Sequence, residues 1–218
     1  MVFLALFQEC SIITPHFRGR KRWQTRQFYG VPKYFNFMNA DIAKKFFVFD
    51  VESIGIHGEG FAVGFVVVDT EGNRLDSGLF SCPSGCARGS ADGHAWVGEN
   101  CPPLLVTHDS PWMVRAAFWK VWLGWKCSDV VMVADCAWPV EARFLAQCVD
   151  DRFIEREFAG PYPLHDLASV FLALGQDPTK IMDRLPEELP SHNPLCDAKQ
   201  SARLLLSAIG KPRIPTPN

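Results

Sequence analysis

The chain has 218 residues, of which 48% are hydrophobic and 21% charged, enough to bury one sizeable core, whereas two full domains would each be small, so one domain is expected. Its formal charge of −2 hides an asymmetry: residues 1–37 carry six Lys/Arg against one acid, which leaves 16 Lys/Arg and 23 Asp/Glu for residues 38–218. Such a body is not a basic nucleic-acid clamp, and it binds polyanions only where its carboxylates gather round divalent cations whose charge dominates the local field.

The opening MVFLALF is apolar, but no basic residues precede it and it is too short for a signal core or a bilayer span. Five of the eight cysteines lie in or beside apolar runs, where a free thiol acts as a small hydrophobe. Reduced cysteines and a cytoplasmic location are therefore expected, with no membrane partner. Residues 1–37 mix Lys and Arg with Trp23, Phe28, Tyr29 and Tyr34 in FRGRKRWQTRQFYGVPKYF. This basic-aromatic extension is expected to be a loosely ordered tail, the alternative being an arm that touches nucleic acid. Met38 stands where the periodic sequence begins and could itself be a start. The expected division is an extension over 1–37, one catalytic domain over 38–210 and a Pro-rich tail over 211–218.

Within the domain, KFFVFDVE, GFAVGFVVVD and RLDSGLFSC are short, β-branched and aromatic, with turn chemistry between Asp69 and Asn73, and predict a three-strand meander. Residues 82–108, rich in Gly, Ser, Pro and Cys, lack periodicity and predict a long loop. Ser110 and Pro111 supply a cap and first-turn proline to an aromatic helix, PWMVRAAFWKVWLGWK. The apolar strand DVVMVAD follows, then a helix from Pro139. PLHDLASVFLAL has helical spacing and stops at Gly175, and Asp177 with Pro178 opens a short helix. In PLCDAKQSARLLLSAIG, Leu195, Ala198, Ala202, Leu205 and Ile209 form one apolar stripe. Early strands in succession and later ones joined through helices predict an α/β fold with a mixed sheet.

Three places carry chemistry. Asp50 and Glu52 lie two apart in the apolar strand FFVFDVES, so both carboxylates share a face. Two buried acids on one face repel unless a hard cation is shared between them. The plainer alternative ends the strand at Asp50 and leaves both acids in a solvated turn. In LPSHNPLCDA, Asn193 as cap and Pro194 as first helical residue make His192 and Asp197 the two positions that a hydrophobic staple brings together. A local His–Asp pair that merely stabilises a helix start would look the same. The third place is VVMVADCAWPVEARFL, where Asp135 closes a strand at its carboxyl edge, the side on which open α/β sheets assemble their sites. Glu141, in the first turn of the next helix, competes with it.

These three motifs, in this order, resemble the DEDDh exonucleases: an Asp-x-Glu strand near the domain start, an acid after the fourth strand and a late His-x-x-x-x-Asp at a helix N-terminus. DVES and HNPLCDA match the family closely. The middle motif departs from it, because the slot where the family carries an Asp inside the helix holds Glu141, and the fourth acid is either Asp135 or Glu141. The resemblance implies an RNase H-like fold with a five-stranded mixed sheet and helices on both faces. It further implies a 3′→5′ exonuclease that removes nucleoside monophosphates from the 3′ end of single-stranded RNA or DNA. Two Mg²⁺ or Mn²⁺ ions would be held by Asp50, Glu52, Asp135 and Asp197, with His192 as general base. The alternatives are a catalytically silent module of the same fold that binds nucleic acid or protein, and an RNase H-like endonuclease. Oligomeric state is left open, with a dimer among the options.

Other features invite weaker readings. Cys82, Cys86, His94 and Cys101 lack the paired Cys-x-x-Cys spacing of strong zinc sites. Trp112, Trp119, Trp122 and Trp125 share one helix and are expected to anchor it to the core. Trp138 is the better candidate for stacking on a base, although a packed corner is the first expectation. Asp166 is expected to be a solvated helical acid, and His57 sits in a glycine-rich turn with no assigned contact.

Overall fold

The computed structural model describes residues 45–127, 129–178, 180 and 183–210. The basic extension and the Pro-rich tail fall outside these residues. The first strands are β1 (Lys45–Ser53), β2 (Gly60–Asp69) and β3 (Arg74–Ser81), followed by helices α1 (Ala91–Asn100) and α2 (Pro111–Trp125). Strand β4 (Val130–Ala134), helices α3 (Val140–Asp150) and α4 (Phe153–Arg156), the short β5 (His165–Asp166), α5 (Leu167–Ala173) and α6 (Pro194–Ala208) complete the order. The sheet runs β3-β2-β1-β4-β5, with β1 antiparallel to β2 and parallel to β4. This is the mixed five-stranded sheet that the sequence predicts.

Period-2 alternation in β1 divides its side chains between two cores. Phe47, Phe49 and Val51 face a cluster with Phe118, Trp119 and Trp122 of α2 and Phe144 of α3. Phe46 and Val48 face the other, with Leu167 and Phe171 of α5 and Ala198, Ala202 and Leu205 of α6. Asp50 and Glu52 continue the Phe46–Val48 row. They therefore lie on the face that α6 covers, and the expected stripe of α6 is what packs there. The β1 strand runs through to Ser53, with an irregularity only at its end, so the solvated-turn alternative for the two acids does not hold.

Several local expectations are corrected. Residues 82–108 are not one long loop: Ser90 caps α1 by accepting the Gly93 N–H. That helix buries only Gly93 and Val97, so it leaves no apolar period to read. His165 and Asp166 are not helical; they pair in parallel with Val133 and Ala134 and so add the fifth strand ahead of α5. Asp177 and Pro178 are not in a helix. Trp119 and Trp122 are core anchors as expected, whereas Trp112 is exposed. Trp138 is 72% exposed and is not a packed corner, because α3 begins immediately after it and turns the chain away. Among the described residues, no helix is long and apolar enough to cross a membrane and no cysteine is in a disulfide.

One glycine sets how close α6 can come. Gly64 of β2 pairs directly with Asp50, and a Cβ placed on it would lie 2.1 Å from the Leu195 nitrogen and 2.2 Å from the Pro194 carbonyl carbon. The first turn of α6 thus rests on the sheet backbone to backbone, an approach that only glycine permits. Gly64→Ala is expected to cost about 1–3 kcal/mol through overpacking against backbone, roughly 3–10 °C in Tm for a domain of this size. Thermal melts of the two proteins check this, and a Tm unchanged within error would show that α6 yields freely.

Candidate active site

The acids converge at the carboxyl end of β1. The parallel register pairs Phe49 with Ala134, so the next residues along, Asp50 and Asp135, emerge side by side from β1 and β4. Glu52 is 8% exposed. At the start of α6, the Asn193 side chain accepts the Leu195 N–H at 3.1 Å and its carbonyl accepts the Asp197 N–H at 2.9 Å, so Asn193 is the cap that the sequence predicts. The His192 N–H in turn hydrogen-bonds the Asp197 carboxylate. His192 itself has φ 59°, in the left-handed region where His is tolerated better than bulkier residues. Glu52, His192 and Asp197 each offer a ligand atom within 4.8 Å of the others, and among the described residues no other group of three metal-capable side chains does so. The cysteine-rich zinc alternative therefore has no support in the fold.

The electrostatics record how crowded the acids are. Burial raises the pKa of Asp50 well above the usual carboxylate range, and the charges of Glu141, Asp197, Glu52 and Asp135 push it further. Burial and then Asp197 push Glu52 up to about 7. Burial also lifts Glu141 to about 7, against hydrogen bonds that include the Val51 N–H. Asp135 is exposed as a residue, yet desolvation of its carboxylate, with Asp197 and Asp166 beside it, raises its pKa; Arg184 and a hydrogen bond from Ser201 oppose the rise. Burial raises Asp197 as well, opposed chiefly by Arg184, whose guanidinium donates to it at 2.5 Å.

Glu52, Asp197 and His192, with the charges of Asp50, Asp135 and Glu141 acting close by and the Arg184 guanidinium on Asp197, make an oxygen-rich donor set that suits a divalent cation. Of the residues that the motifs name, Glu52, His192 and Asp197 meet within 4.8 Å, while Asp50 and Asp135 lie near enough for their charges to act on one another but belong to no such group among the described residues. Glu141 joins them: it is only 5% exposed and is the first of the charges acting on Asp50. It also takes the Val51 N–H, which lies past the end of β4 and has no ladder partner on that side.

Three neighbours of the site are not apparent from the motifs. Cys101, just after α1, lies with its Sγ 3.6 Å from Glu52 Oε2. Trp96 of α1 meets the His192 ring edge to face, with centroids 5.0 Å apart. Arg184 is held in place by the turn that follows it: the Leu185 N–H donates to Glu188, whose carboxylate also takes Arg203 of α6, and the Arg184 guanidinium donates to the Glu188 carbonyl. The Ser90 cap with Asp92 in the first turn was the one sequence signal for α1; Arg184 left none. Asp166 is not a free helical acid, because it caps α5 through the Ser169 N–H and takes the Ala137 N–H at 3.1 Å. It thereby ties the segment after Asp135 to β5. His57 is exposed.

No family model and no curated protein matches this chain. Solved structures do. An apo exonuclease I superposes over 78% of this chain and 42% of its own, with a TM-score of 0.51 and 16% identity. The zinc-bound E. coli exonuclease I complex with single-stranded DNA superposes over 77% of this chain and 40% of its own, at 0.50 and 12% identity. The chain has the RNase H-like fold of exonuclease I. It spans about two fifths of the length of those exonuclease I chains.

The raised carboxylate pKa values carry a stability consequence. A group whose pKa is higher folded than unfolded binds more protons in the native state, so metal-free stability falls as pH rises from the ordinary carboxylate range towards 7. The metal-free protein is expected to melt higher at pH 5.5 than at pH 7.5, and millimolar Mn²⁺ should remove most of that difference by replacing the protons. Calorimetric scans at the two pH values decide it. A metal-free Tm that climbs with pH over this window would mean that the acids are not crowded.

Proposed function

We propose that this chain is a metal-dependent 3′→5′ exonuclease that hydrolyses single-stranded nucleic acid to nucleoside monophosphates. The observation that carries the reading is the meeting of Glu52 from β1 with Asp197 and His192 from the start of α6, with the charges of Glu52 and Asp197 acting on Asp50. The order of the three motifs supports it, and so does a fold shared with exonuclease I, one structure of which is a complex with single-stranded DNA.

In this reading Asp50, Glu52, Asp135 and Asp197 would together hold two divalent ions. Bound Mg²⁺ or Mn²⁺ would clamp the scissile phosphate, activate water and stabilise the leaving 3′ oxygen. The residues of the chain do the rest. His192, half-exposed and with Nδ1 3.7 Å from Glu52 Oε1, takes the proton of the attacking water on its imidazole. The water oxygen bonds to phosphorus as the phosphorus–O3′ bond breaks; O3′ takes a proton from solvent, so the shortened strand leaves with a 3′ hydroxyl and the terminal nucleotide leaves as its 5′ monophosphate. Arg184 sets the negative charge of Asp197 against its own positive one, which keeps that carboxylate in place before an ion arrives. An enzyme that works on a chain end needs to grip few phosphates, which suits an acidic body.

Purified protein with Mn²⁺ is expected to shorten 5′-labelled single strands from the 3′ end. Asp50→Ala should abolish this, and His192→Ala should lower kcat by roughly 10²–10⁴-fold. Matched RNA and DNA oligomers resolved by length over time check both, and unchanged activity in Asp50→Ala sinks the assignment. Cuts inside a circular single strand would point to an endonuclease instead, and failure to bind millimolar Mn²⁺ in calorimetry to a silent module. In the same titrations Asp135→Asn should lose one of two ions while Glu141→Gln keeps both; the reverse would make Glu141 the fourth ligand.

A further inference from the structure

Helix α1 docks on the turn that ends β1. A Cβ on Gly93 would lie 3.0 Å from the Ile54 carbonyl carbon and 3.1 Å from the Gly55 nitrogen, so the helix backbone rests against the strand end with little room to shift. Gly93 and Val97 are its buried residues. Trp96 stands three residues beyond Gly93, on the neighbouring turn of the same side. Backbone contact therefore fixes where the Trp96 main chain stands beside the site.

The indole meets the His192 ring at an interplanar angle of 83°, an edge-to-face geometry that aromatic rings favour. Among the described residues, little else holds that imidazole. Its Nδ1 stands 3.7 Å from Glu52, beyond hydrogen-bond range, and the side chain is 43% exposed. The His192 backbone is anchored through Asp197 and the Asn193 cap, but those contacts leave the side-chain torsions free.

We propose that Trp96 is a positioning residue: its indole sets the plane of the His192 imidazole against Glu52, so that the ring meets the attacking water in one orientation. This rests on the reading of His192 as general base given above. Trp96 is itself 43% exposed, so truncating it opens no core cavity.

The test compares wild type, Trp96→Ala and Trp96→Phe on one single-stranded oligonucleotide with Mn²⁺, with kcat and KM resolved separately. General-base catalysis is worth roughly 10²–10⁴-fold, and a ring left to rotate should forfeit part of it. Trp96→Ala is expected to lower kcat about tenfold on that basis, with KM and calorimetric Mn²⁺ affinity held within about twofold. Trp96→Phe, which keeps an aromatic face, should restore most of the rate. In the metal-free protein the His192 ring-proton resonances, identified by their loss in His192→Gln, should shift in Trp96→Ala as the indole ring current is removed. A rise in KM with kcat unchanged would mean that Trp96 grips substrate and would overturn the proposal, as would an unmoved His192 resonance. The two readings fail separately: an inactive wild type with a shifted resonance removes the nuclease assignment, whereas an active wild type with an unmoved resonance removes the role of Trp96.

Discussion

Like charges held together against their own repulsion are the constraint on which the rest of this structure depends. Asp50 and Glu52 are fixed to one face of β1 by the pleat, α6 adds Asp197 on that side, and Glu141 comes from α3, which packs on the other. None of these acids gains from the others, and burial raises the cost of charging each of them. What keeps them in place is apolar packing elsewhere: the Phe47 and Phe49 row beneath α2 and α3, and the Phe46 and Val48 row beneath α5 and α6. The core supplies the free energy and the site draws on it.

The elements around the acids divide the work. Gly64 lets the first turn of α6 touch the sheet, and the Asn193 cap then fixes where His192 leaves the backbone. Asp166 secures the segment after β4 by taking the Ala137 N–H. Glu188, almost fully buried, joins Arg203 of α6 to the turn that carries Arg184, so the one guanidinium beside Asp197 is held by the same helix that presents Asp197. A second buried ion network, Arg115 with Glu59 and Asp151, clamps the β1–β2 turn to α2 and to the end of α3.

The match to exonuclease I covers 78% of this chain and about two fifths of the other's length. Its reach is the fold. The proposed chemistry rests on particular atoms: three donors within 4.8 Å, an imidazole 3.7 Å from a carboxylate, and acids whose pKa values are raised first by burial and then by one another's charge.

Much of the site was legible in the chain, because the relevant rules are local. Alternation in FFVFDVES puts Asp50 beside Glu52, and an Asn-Pro helix start puts His192 beside Asp197. The rest depended on contacts between distant segments. Helix α1 buries two residues and so has no readable period, and β5 is two residues long; both exist because the sheet offers them a surface to pack on or pair with. Trp96, Cys101 and Arg184 reach the acids from loops and helices whose course no local pattern encodes. The choice between Asp135 and Glu141 is of the same kind, since which carboxylate stands nearer Asp50 follows from the angle at which α3 leaves β4. Sequence by itself determined which residues pair within a strand or a helix turn, where spacing is fixed by backbone geometry. Only the tertiary structure decided which of those pairs meet, because that depends on how closely backbones pack, here at Gly64 and Gly93.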